Sequence, residues 1–292
     1  EFKNITHTII CTPTNKHIEI AKKILKKKNC KKILIEKPLS HKLDGILELK
    51  RLIKKNRAMV FVVSNLRYHT GFINLKKNIK KIGKVKFARA FFGNHYKFYK
   101  KDYKKNYFQK ISSGGGIIFD SCHEIDLLMQ LFGTMSVKKS FYFSSSKPDF
   151  NSTDYLNVIF KHKNILSEIN SNLFQYFKER GLEIFGTTGT IKWTSSGKKK
   201  EKVNLKFFSN PNKKVRILLK KEYDVNEMYR KQLMFFGASG KNKYKSDIVM
   251  ASWFPMKVLR QLQKEQYADI GIDYTPSFDG YNSVEWNETP WS

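Results

Sequence analysis

The sequence predicts two α/β units in series: a doubly wound parallel sheet, then a mostly antiparallel open sheet. Up to residue 66, apolar strand segments alternate with helical segments, which is the order that parallel βαβ units require. From residue 85 onward most segments are short strands with alternating polar and apolar residues, as in an antiparallel sheet that is covered on one face. The length of 292 residues accommodates two such domains.

The first unit contains three predicted strands and two helices. Thr14 or Asn15 can cap the first helix and Ser40 the second, because their side chains accept hydrogen bonds from helix N–H groups. Apolar residues at three- and four-residue spacings give each helix one buried face. The predicted strands are residues 8–11, 33–35 and 59–63. The apolar helix positions are Ile18, Ala21, Ile24 and Leu25, then Leu43, Ile46, Leu47, Leu49, Leu52 and Ile53.

The second unit contains one long glycine-led helix among short strands, which are separated by turns rich in Asn, Gly, Ser and Lys. A loop rich in Lys and Tyr, residues 94–110, precedes that helix. The predicted helices are residues 71–80, 114–133, 229–236 and 247–263. The predicted strands are residues 85–92, 137–143, 155–160, 165–170, 182–185, 190–193, 203–208 and 215–219.

These segments give domain boundaries at residues 66 and 264. Residues 1–66 form the parallel-sheet unit and residues 67–264 the open-sheet unit. After Lys264 there is no further Lys or Arg, and residues 265–292 are acidic. No structure is predicted for this tail.

The charge of the chain is strongly basic, at +31, which raises the question of nucleic-acid binding. Of the 56 basic residues, 48 are Lys and only 8 are Arg. The lysines are spread along the chain, whereas readers of bases and phosphates favour the forked guanidinium of Arg. We therefore interpret the charge as solvated lysine surface and predict no nucleic-acid partner.

The three cysteines, Cys11, Cys30 and Cys122, show no C-x-x-C spacing, which favours a reduced, cytoplasmic protein. Cys122 and His123 are neighbours on a predicted helix and diverge by about 100°, so they predict neither a catalytic dyad nor a metal site. No run of 18 or more apolar residues occurs, and no membrane span is predicted.

The first candidate site lies in the stretch from Gly114 to Gly133, where Asp120, His123 and Asp126 are spaced three residues apart. In one continuous helix such positions share a face. A carboxylate beside an imidazole can orient the ring and stabilise its protonated form, which makes an acid–base unit. A helix cap beside a buried histidine is the simpler alternative.

The second candidate site follows the predicted strand at residues 33–35. Glu36, Lys37 and Pro38 come directly after this apolar segment. Open α/β sheets bind ligands at the carboxyl ends of their strands, and a charged pair there is costly unless it serves a site. An ion pair between Glu36 and Lys37 is disfavoured because adjacent strand residues point to opposite faces.

Four segments together resemble the Gfo/Idh/MocA family of NAD(P)-dependent sugar and polyol oxidoreductases. They cover roughly residues 5–236, and the most specific feature is Glu-Lys-Pro followed about eighty residues later by the glycine-led helix. The segments are Cys11-Thr12-Pro13-Thr14-Asn15 with His17, Glu36-Lys37-Pro38, Asn65-Leu66-Arg67-Tyr68-His69, and Gly114 to Asp126.

Two features depart from the family pattern. Two residues rather than three separate Asp120 from His123, a form that resembles a subgroup associated with surface-polysaccharide and nonulosonic-acid pathways. The family's opening strand, G-x-G-x-x-G turn and helix have no counterpart, and Glu1 lies near what resembles the fourth strand. The resemblance therefore implies a partial Rossmann fold lacking its first βαβ unit, roughly 60 residues.

The resemblance implies an oxidoreductase that transfers a hydride between NAD or NADP and a secondary hydroxyl or keto carbon of a sugar or nucleotide-sugar. It implies that Lys37 binds the reacting oxygen, that His123 takes the hydroxyl proton, and that Asp120 orients His123 while Asp126 braces the helix. Cofactor-lining residues would be Thr12, Pro13, Asn15, His17, Glu36, Lys37, Asn65 and Arg67. Substrate-binding residues would be Lys37, Tyr103, Tyr107, Asp120 and His123.

The resemblance also implies a homo-oligomer formed through the open sheet. Two alternatives of the same fold stay open: a catalytically inactive protein that senses a dinucleotide or sugar, and an enzyme that uses NAD transiently to cleave a glycosidic bond. The choice of sugar, of NAD or NADP and of reaction direction also stays open. Because the pyrophosphate site needs the first βα turn, we expect residues 1–292 alone to bind dinucleotide negligibly.

Overall fold

The structure is a computed structural model of the chain. It describes residues 5–27, 30–99, 107–110, 113–147, 149–210, 212 and 214–238. The predicted helix at residues 247–263 and the acidic tail lie outside these ranges. None of the described helices is long and apolar enough to span a membrane.

A small parallel sheet of three strands forms the first unit, in the order β1-β2-β3. Its strands are β1 (His7–Ile10), β2 (Lys32–Ile35) and β3 (Met59–Val62), connected by helices α1 (His17–Lys27) and α2 (Ile46–Asn56). Alternate residues of β2 point to opposite faces, so Ile33 and Ile35 join the core under α1 and α2 while Leu34 joins a second apolar cluster.

Helix α2 begins later than the sequence predicted. Ser40 does not cap it, because the Ser40 hydroxyl instead accepts a hydrogen bond from the backbone N–H of Lys42, at 3.1 Å. The helix begins at Ile46, after Gly45 with φ +75°. A Cβ atom at Gly45 would lie 3.0 Å from Ile18, so glycine also allows α1 and α2 to approach closely.

Eight strands form the large sheet of the second unit, in the order β11-β10-β9-β8-β4-β7-β6-β5. Only β4 and β7 pair in parallel, and the other six pairings are antiparallel. The strands are β4 (Val85–His95), β5 (Ser136–Phe143), β6 (Tyr155–Lys161), β7 (Leu166–Asn172), β8 (Phe174–Gly186), β9 (Thr190–Gly197), β10 (Lys200–Phe208) and β11 (Arg216–Asp224).

Helix α3 (Thr70–Asn78) packs against one face of the large sheet. Its first turn lies directly on the indole of Trp193, which is fully buried. A Cβ atom at Gly71 would come within 2.0 Å of the indole nitrogen, so only glycine fits there. His69 precedes the helix and its Nδ1 accepts a hydrogen bond from the Gly71 N–H, at 3.0 Å.

The last described helix, α7 (Asn226–Ala238), returns to the small parallel sheet. Phe235 and Phe236 both meet the ring of Phe61, with ring centroids 6.1 and 5.9 Å apart. The ring of Phe236 also lies 5.2 Å from that of His7. Residues that the sequence assigned to the second unit thus cover the free face of the first sheet.

A buried carboxylate, Glu201 on β10, ties α3 to the large sheet. It accepts hydrogen bonds from the Ser195 hydroxyl at 2.5 Å, the Lys178 ammonium at 2.7 Å and the His69 Nε2 at 3.1 Å. Burial alone would raise the pKa of Glu201, but the hydrogen bond from His69 and the charge of Lys178 hold that pKa at about 2. Burial also lowers the pKa of His69, which keeps its imidazole neutral.

We expect Glu201→Gln to destabilise the protein at neutral pH by about 3 kcal/mol, the free energy linked to a pKa held at about 2. Because the folded-state pKa lies below the ordinary value of 4.5, this stabilisation is present above about pH 4.5 and is lost as the pH falls toward 2. Urea unfolding of both proteins at pH 7 and pH 3 measures the difference.

The matched control is Glu222→Gln on the neighbouring strand β11, where the side chain is exposed. It should change stability by well under 1 kcal/mol at either pH. A destabilisation by Glu201→Gln that is equally large at pH 3 would contradict the electrostatic origin of the effect.

Candidate active site

Charged side chains from both units converge at the carboxyl edge of the small parallel sheet. Glu36 and Lys37 follow β2, and Asn65 and Arg67 lie in the short turn that follows β3. The glycine turn and the helices after it approach this edge from the second unit. Two ion pairs connect the units here, and one of them includes Lys37.

The Lys37 ammonium donates a hydrogen bond to Oδ1 of Asp120, 83 residues later in the chain. Both side chains are largely removed from solvent, with 18% of Lys37 and 9% of Asp120 exposed. Such a pair depends on its geometry, since each charge has lost most of its hydration. Sequence reasoning singled out both residues but assigned Asp120 to His123 rather than to Lys37.

The Lys37–Asp120 pair sets the protonation state of the lysine. Burial alone would lower the pKa of Lys37, but the facing Asp120 carboxylate raises that pKa well above its ordinary value. Lys37 is therefore a permanently charged hydrogen-bond donor at neutral pH, and it cannot act as a base there.

Tyr99, at the end of the short helix α4 (Tyr96–Tyr99), is a third member of this cluster. Its hydroxyl shares a hydrogen bond with Asp120, and burial together with the Asp120 charge raises the pKa of the phenol well above its ordinary value. Its ring lies between Phe92 and Phe108, at centroid distances of 5.5 and 5.6 Å. Sequence reasoning missed Tyr99, which lies within a loop segment rich in Lys and Tyr.

The glycine-led helix is interrupted, contrary to the prediction of one continuous helix. Helix α5 (Ile117–Asp120) ends at Asp120 and helix α6 (Cys122–Phe132) begins two residues later. Ser121, with ψ of 3°, separates them. The break turns Asp120 toward Lys37, while His123 lies half-buried in the first turn of α6.

The glycines before α5 are required by the backbone. Gly114 and Gly116 have φ of +82° and +94°, which side-chain-bearing residues rarely adopt. A Cβ atom at Gly116 would also lie 2.4 Å from the Ser152 hydroxyl. The Ile117 N–H donates to the carbonyl of Thr153 at 2.9 Å, which fixes the start of α5 against the segment just before β6.

A second ion pair, between Arg67 and Asp126, connects the turn after β3 to helix α6. The Arg67 guanidinium binds both carboxylate oxygens of Asp126, with Nε 2.8 Å from Oδ2. The pair is largely buried, with 17% and 8% of the side chains exposed. The guanidinium of Arg67, a residue expected to line the cofactor, holds α6 against the turn that follows β3.

Arg180 and Glu124 form a third buried pair, which sequence reasoning missed. Arg180 Nε lies 2.7 Å from Glu124 Oε1, and its guanidinium stacks 4.5 Å from the ring centroid of Phe92. Glu124 belongs to the Gly114 to Asp126 segment, but Arg180, 56 positions later, belongs to no recognisable motif. Arg180 adds to the positive potential around Tyr99.

The predicted cofactor-lining residues fall into two groups. Thr12, Pro13 and Asn15 are exposed in the loop after β1, and Glu36 is half-buried after β2. His17 does not line this edge, because its ring is buried and its two nitrogens contact main-chain oxygens at 2.8 and 2.9 Å.

The remaining candidates from the sequence are the two tyrosines Tyr103 and Tyr107, the cysteine Cys122 and a metal site. Tyr103 lies outside the described residues, and only the backbone of Tyr107 is described. Burial raises the pKa of the Cys122 thiol to about 12, so this cysteine is not an activated nucleophile. Among the residues that the structure describes, no group of three or more His, Cys, Asp or Glu is arranged to hold a metal.

Two sequence models match successive parts of the chain. Residues 2–64 match a model described as an oxidoreductase family with an NAD-binding Rossmann fold, and residues 75–192 match the GFO/IDH/MocA C-terminal domain. The matched ranges correspond to the two units of the structure. The chain belongs to the Gfo/Idh/MocA oxidoreductase family.

A curated member of the Gfo/Idh/MocA family is the uncharacterized oxidoreductase YdgJ of Escherichia coli, 27% identical over 162 residues. That match covers 54% of this chain and 45% of YdgJ, so it spans less than half of the relative.

Solved structures share the fold at low sequence identity. The WlbA dehydrogenase from Bordetella pertussis, in complex with NADH and UDP-GlcNAcA, is 17% identical with a TM-score of 0.69, covering 92% of this chain and 78% of that one. A 3-ketoreductase from Actinomadura kijaniata, in complex with NADP, is 12% identical with a TM-score of 0.70, covering 90% and 78%.

The Gfo/Idh/MocA assignment implies a nicotinamide cofactor. Groups at the carboxyl edge of the small sheet fit the nicotinamide end of such a cofactor. Asn65 is 97% buried, and its side-chain oxygen has no hydrogen-bond partner among the described residues. Such an atom can accept a hydrogen bond from a carboxamide such as that of nicotinamide. Thr12, Pro13 and Asn15 add exposed groups at the same edge.

Proposed function

We propose that this protein, with a complete nucleotide-binding domain, is an NAD(P)-dependent oxidoreductase acting on a secondary hydroxyl or keto carbon of a sugar or nucleotide-sugar. The observation that carries the proposal is the Lys37–Asp120 ion pair, placed at the carboxyl edge of a parallel sheet. Ligands of open α/β sheets bind at that edge.

Lys37 is proposed to donate a hydrogen bond to the reacting oxygen. Asp120 keeps the ammonium charged, so Lys37 stabilises negative charge that develops on that oxygen. Tyr99 supports this role by sharing a hydrogen bond with Asp120. When bound, the nicotinamide accepts or supplies the hydride.

His123 is the proposed acid–base residue. Lys37 cannot take a proton at neutral pH, so the hydroxyl proton needs another acceptor. His123 is half-buried, three residues after Asp120 and beside the break between α5 and α6. Imidazole is the side chain that most often carries out such a proton transfer.

We expect His123→Ala to depress turnover most near neutral pH and to remove the lower limb of the pH–rate profile, since that limb reports protonation of the base. The rate of sugar oxidation from pH 5 to 10 measures this. His162→Ala is the matched control, because the buried His162 ring binds Ser167 on strand β7 and is outside the cluster. An unchanged profile in His123→Ala would contradict the base assignment.

The substrate class is proposed from the family and from two fold relatives. One of them was solved with a nucleotide-sugar, UDP-GlcNAcA, and the other is a 3-ketoreductase. The spacing of Asp120 and His123 favours the surface-polysaccharide and nonulosonic-acid subgroup. Turnover of nucleotide-sugars monitored as net NAD(P)H formation separates a dehydrogenase from a sensing protein and from an NAD-dependent glycosidase.

A homo-oligomer through the open face of the large sheet is proposed as well. On this face Arg89 lies between Glu168 and Glu183, at 3.2 and 3.5 Å. The rings of Phe87 and Phe185 meet beside it at 6.1 Å. Aromatic pairs and Arg are typical of interface centres.

Arg89→Glu is expected to dissociate this oligomer, because it places a third carboxylate between Glu168 and Glu183. Light scattering after size-exclusion chromatography measures the mass. Lys138→Glu, exposed on strand β5, is the charge-matched control and should leave the mass unchanged. A monomeric wild-type protein would exclude the proposed interface.

A further inference from the structure

Two loops at the carboxyl edge of the small sheet carry different parts of the proposed site. The loop after β1 exposes Thr12 and Pro13, and the loop after β2 carries Lys37 and Pro38. The β strands themselves join only the bases of these loops, where the Glu36 N–H donates to the Ile10 carbonyl at 2.9 Å. The position of Lys37 relative to the Thr12 loop therefore depends on contacts made outside the strands.

The buried imidazole of His17 makes that connection. His17 begins α1 and is 99% buried. Its Nδ1 lies 2.9 Å from the Pro38 carbonyl oxygen, and its Nε2 lies 2.8 Å from the Thr12 carbonyl oxygen. A carbonyl oxygen only accepts, and the ring contacts one such oxygen in each loop.

The two contacts have separate consequences. The Nδ1 contact holds the residue that directly follows Lys37, so its loss frees the backbone that aims the ammonium at Asp120. The Nε2 contact holds the loop whose exposed residues are proposed to line the cofactor. An error of about 1 Å in the position of a catalytic group can cost 10²-fold in rate.

We propose that His17 is a positioning residue, a two-sided clamp that sets Lys37 and the Thr12 loop in register across the site. The inference rests on the proposed function for its kinetic consequences, while the clamp itself is a property of the fold. It replaces the cofactor-lining role that sequence reasoning gave to His17.

Two conservative variants separate the two sides of the clamp. The side-chain amide of Asn places a donor near the Nδ1 position, and the longer Gln places one near the Nε2 position. In the protein with a complete nucleotide-binding domain, His17→Asn should keep kcat within threefold of wild type and raise KM for the dinucleotide. His17→Gln should keep that KM and lower kcat about tenfold or more.

Ile18→Val is the control for packing loss, because Ile18 is the next buried residue of α1 and touches neither loop through a hydrogen bond. It should leave both constants unchanged. If His17→Asn and His17→Gln both lowered kcat and raised KM to the same extent, the effect would be a general loss of stability, and the clamp would be overturned.

Amide hydrogen exchange of residues 1–292 tests the clamp without turnover. The backbone N–H groups of Lys16, after the Thr12 loop, and of Glu36, before Lys37, are hydrogen-bonded and should exchange slowly, and His17→Ala should speed both. Fast exchange at either group in the unsubstituted protein, or unchanged exchange in His17→Ala, would overturn the two-sided clamp. Absence of turnover in the complete wild-type protein would contradict the proposed function, while the exchange rates would still decide the clamp.

Discussion

Replacing Lys37 by alanine is expected to lower turnover of the complete enzyme by about 10²-fold or more, the scale for losing one donor to a developing oxyanion. The cause is the loss of a charged donor whose pKa is raised by Asp120. Because Lys37 acts on the reacting oxygen, KM for the dinucleotide should change little. Steady-state kinetics with both substrates varied separate the two constants.

Lys31→Ala is the matched control, since Lys31 is an exposed lysine just before strand β2. It should retain wild-type turnover. Near-normal turnover in Lys37→Ala would contradict the assignment.

A second variant, Asp120→Asn, should lower the pKa of Lys37, because the facing carboxylate would no longer oppose the effect of burial. The upper limb of the pH–rate profile should therefore move to lower pH.

Residues 1–292 alone are expected to bind NAD(H) and NADP(H) negligibly. The described part of the small sheet has three strands with β1 at one edge, and residues 1–6 of this sequence, before β1, contain no glycine. A Rossmann site holds the pyrophosphate at such a turn. The exposed groups after β1 and β2 offer contacts to the nicotinamide end only. Calorimetric titration with each dinucleotide measures the binding.

The same residues preceded by the first βαβ unit of a relative are the positive control and should bind measurably. Far-ultraviolet circular dichroism is a separate check that the protein is folded. Micromolar dinucleotide binding by residues 1–292 would show that the glycine turn is unnecessary and would place the pyrophosphate elsewhere.

The sequence was informative wherever local pattern determines structure. The three parallel strands and α1 follow from apolar periodicity, and their observed bounds lie within a few residues of the predicted ones. The position of Lys37 after a buried strand was enough to single it out. Local signals also identified the glycines before α5, whose positive φ values require that residue type.

Long-range pairings and local breaks were not predictable in this way. Nothing in the chain near Asp120 indicates Lys37, 83 residues earlier, and Arg180 has no motif that points to Glu124. The break at Ser121 has no proline or glycine to signal it. Strand β8 extends from residue 174, although only 182–185 were predicted, because pairing with β4 supports a segment in which aromatic residues are followed by charged ones without sustained apolar alternation.

The two ion pairs that include Asp120 and Asp126 have a consequence for how the protein loses activity. Each pair takes its cation from a segment that follows a strand of the small sheet and its carboxylate from the helices after the glycine turn. A small shift between the units would therefore break the proposed catalytic centre, whereas secondary structure is held by hydrogen bonds within each unit and by one apolar core that includes residues of both. Inactivation in mild denaturant or salt should accordingly precede the loss of secondary structure, which makes turnover a more sensitive report of domain docking than circular dichroism.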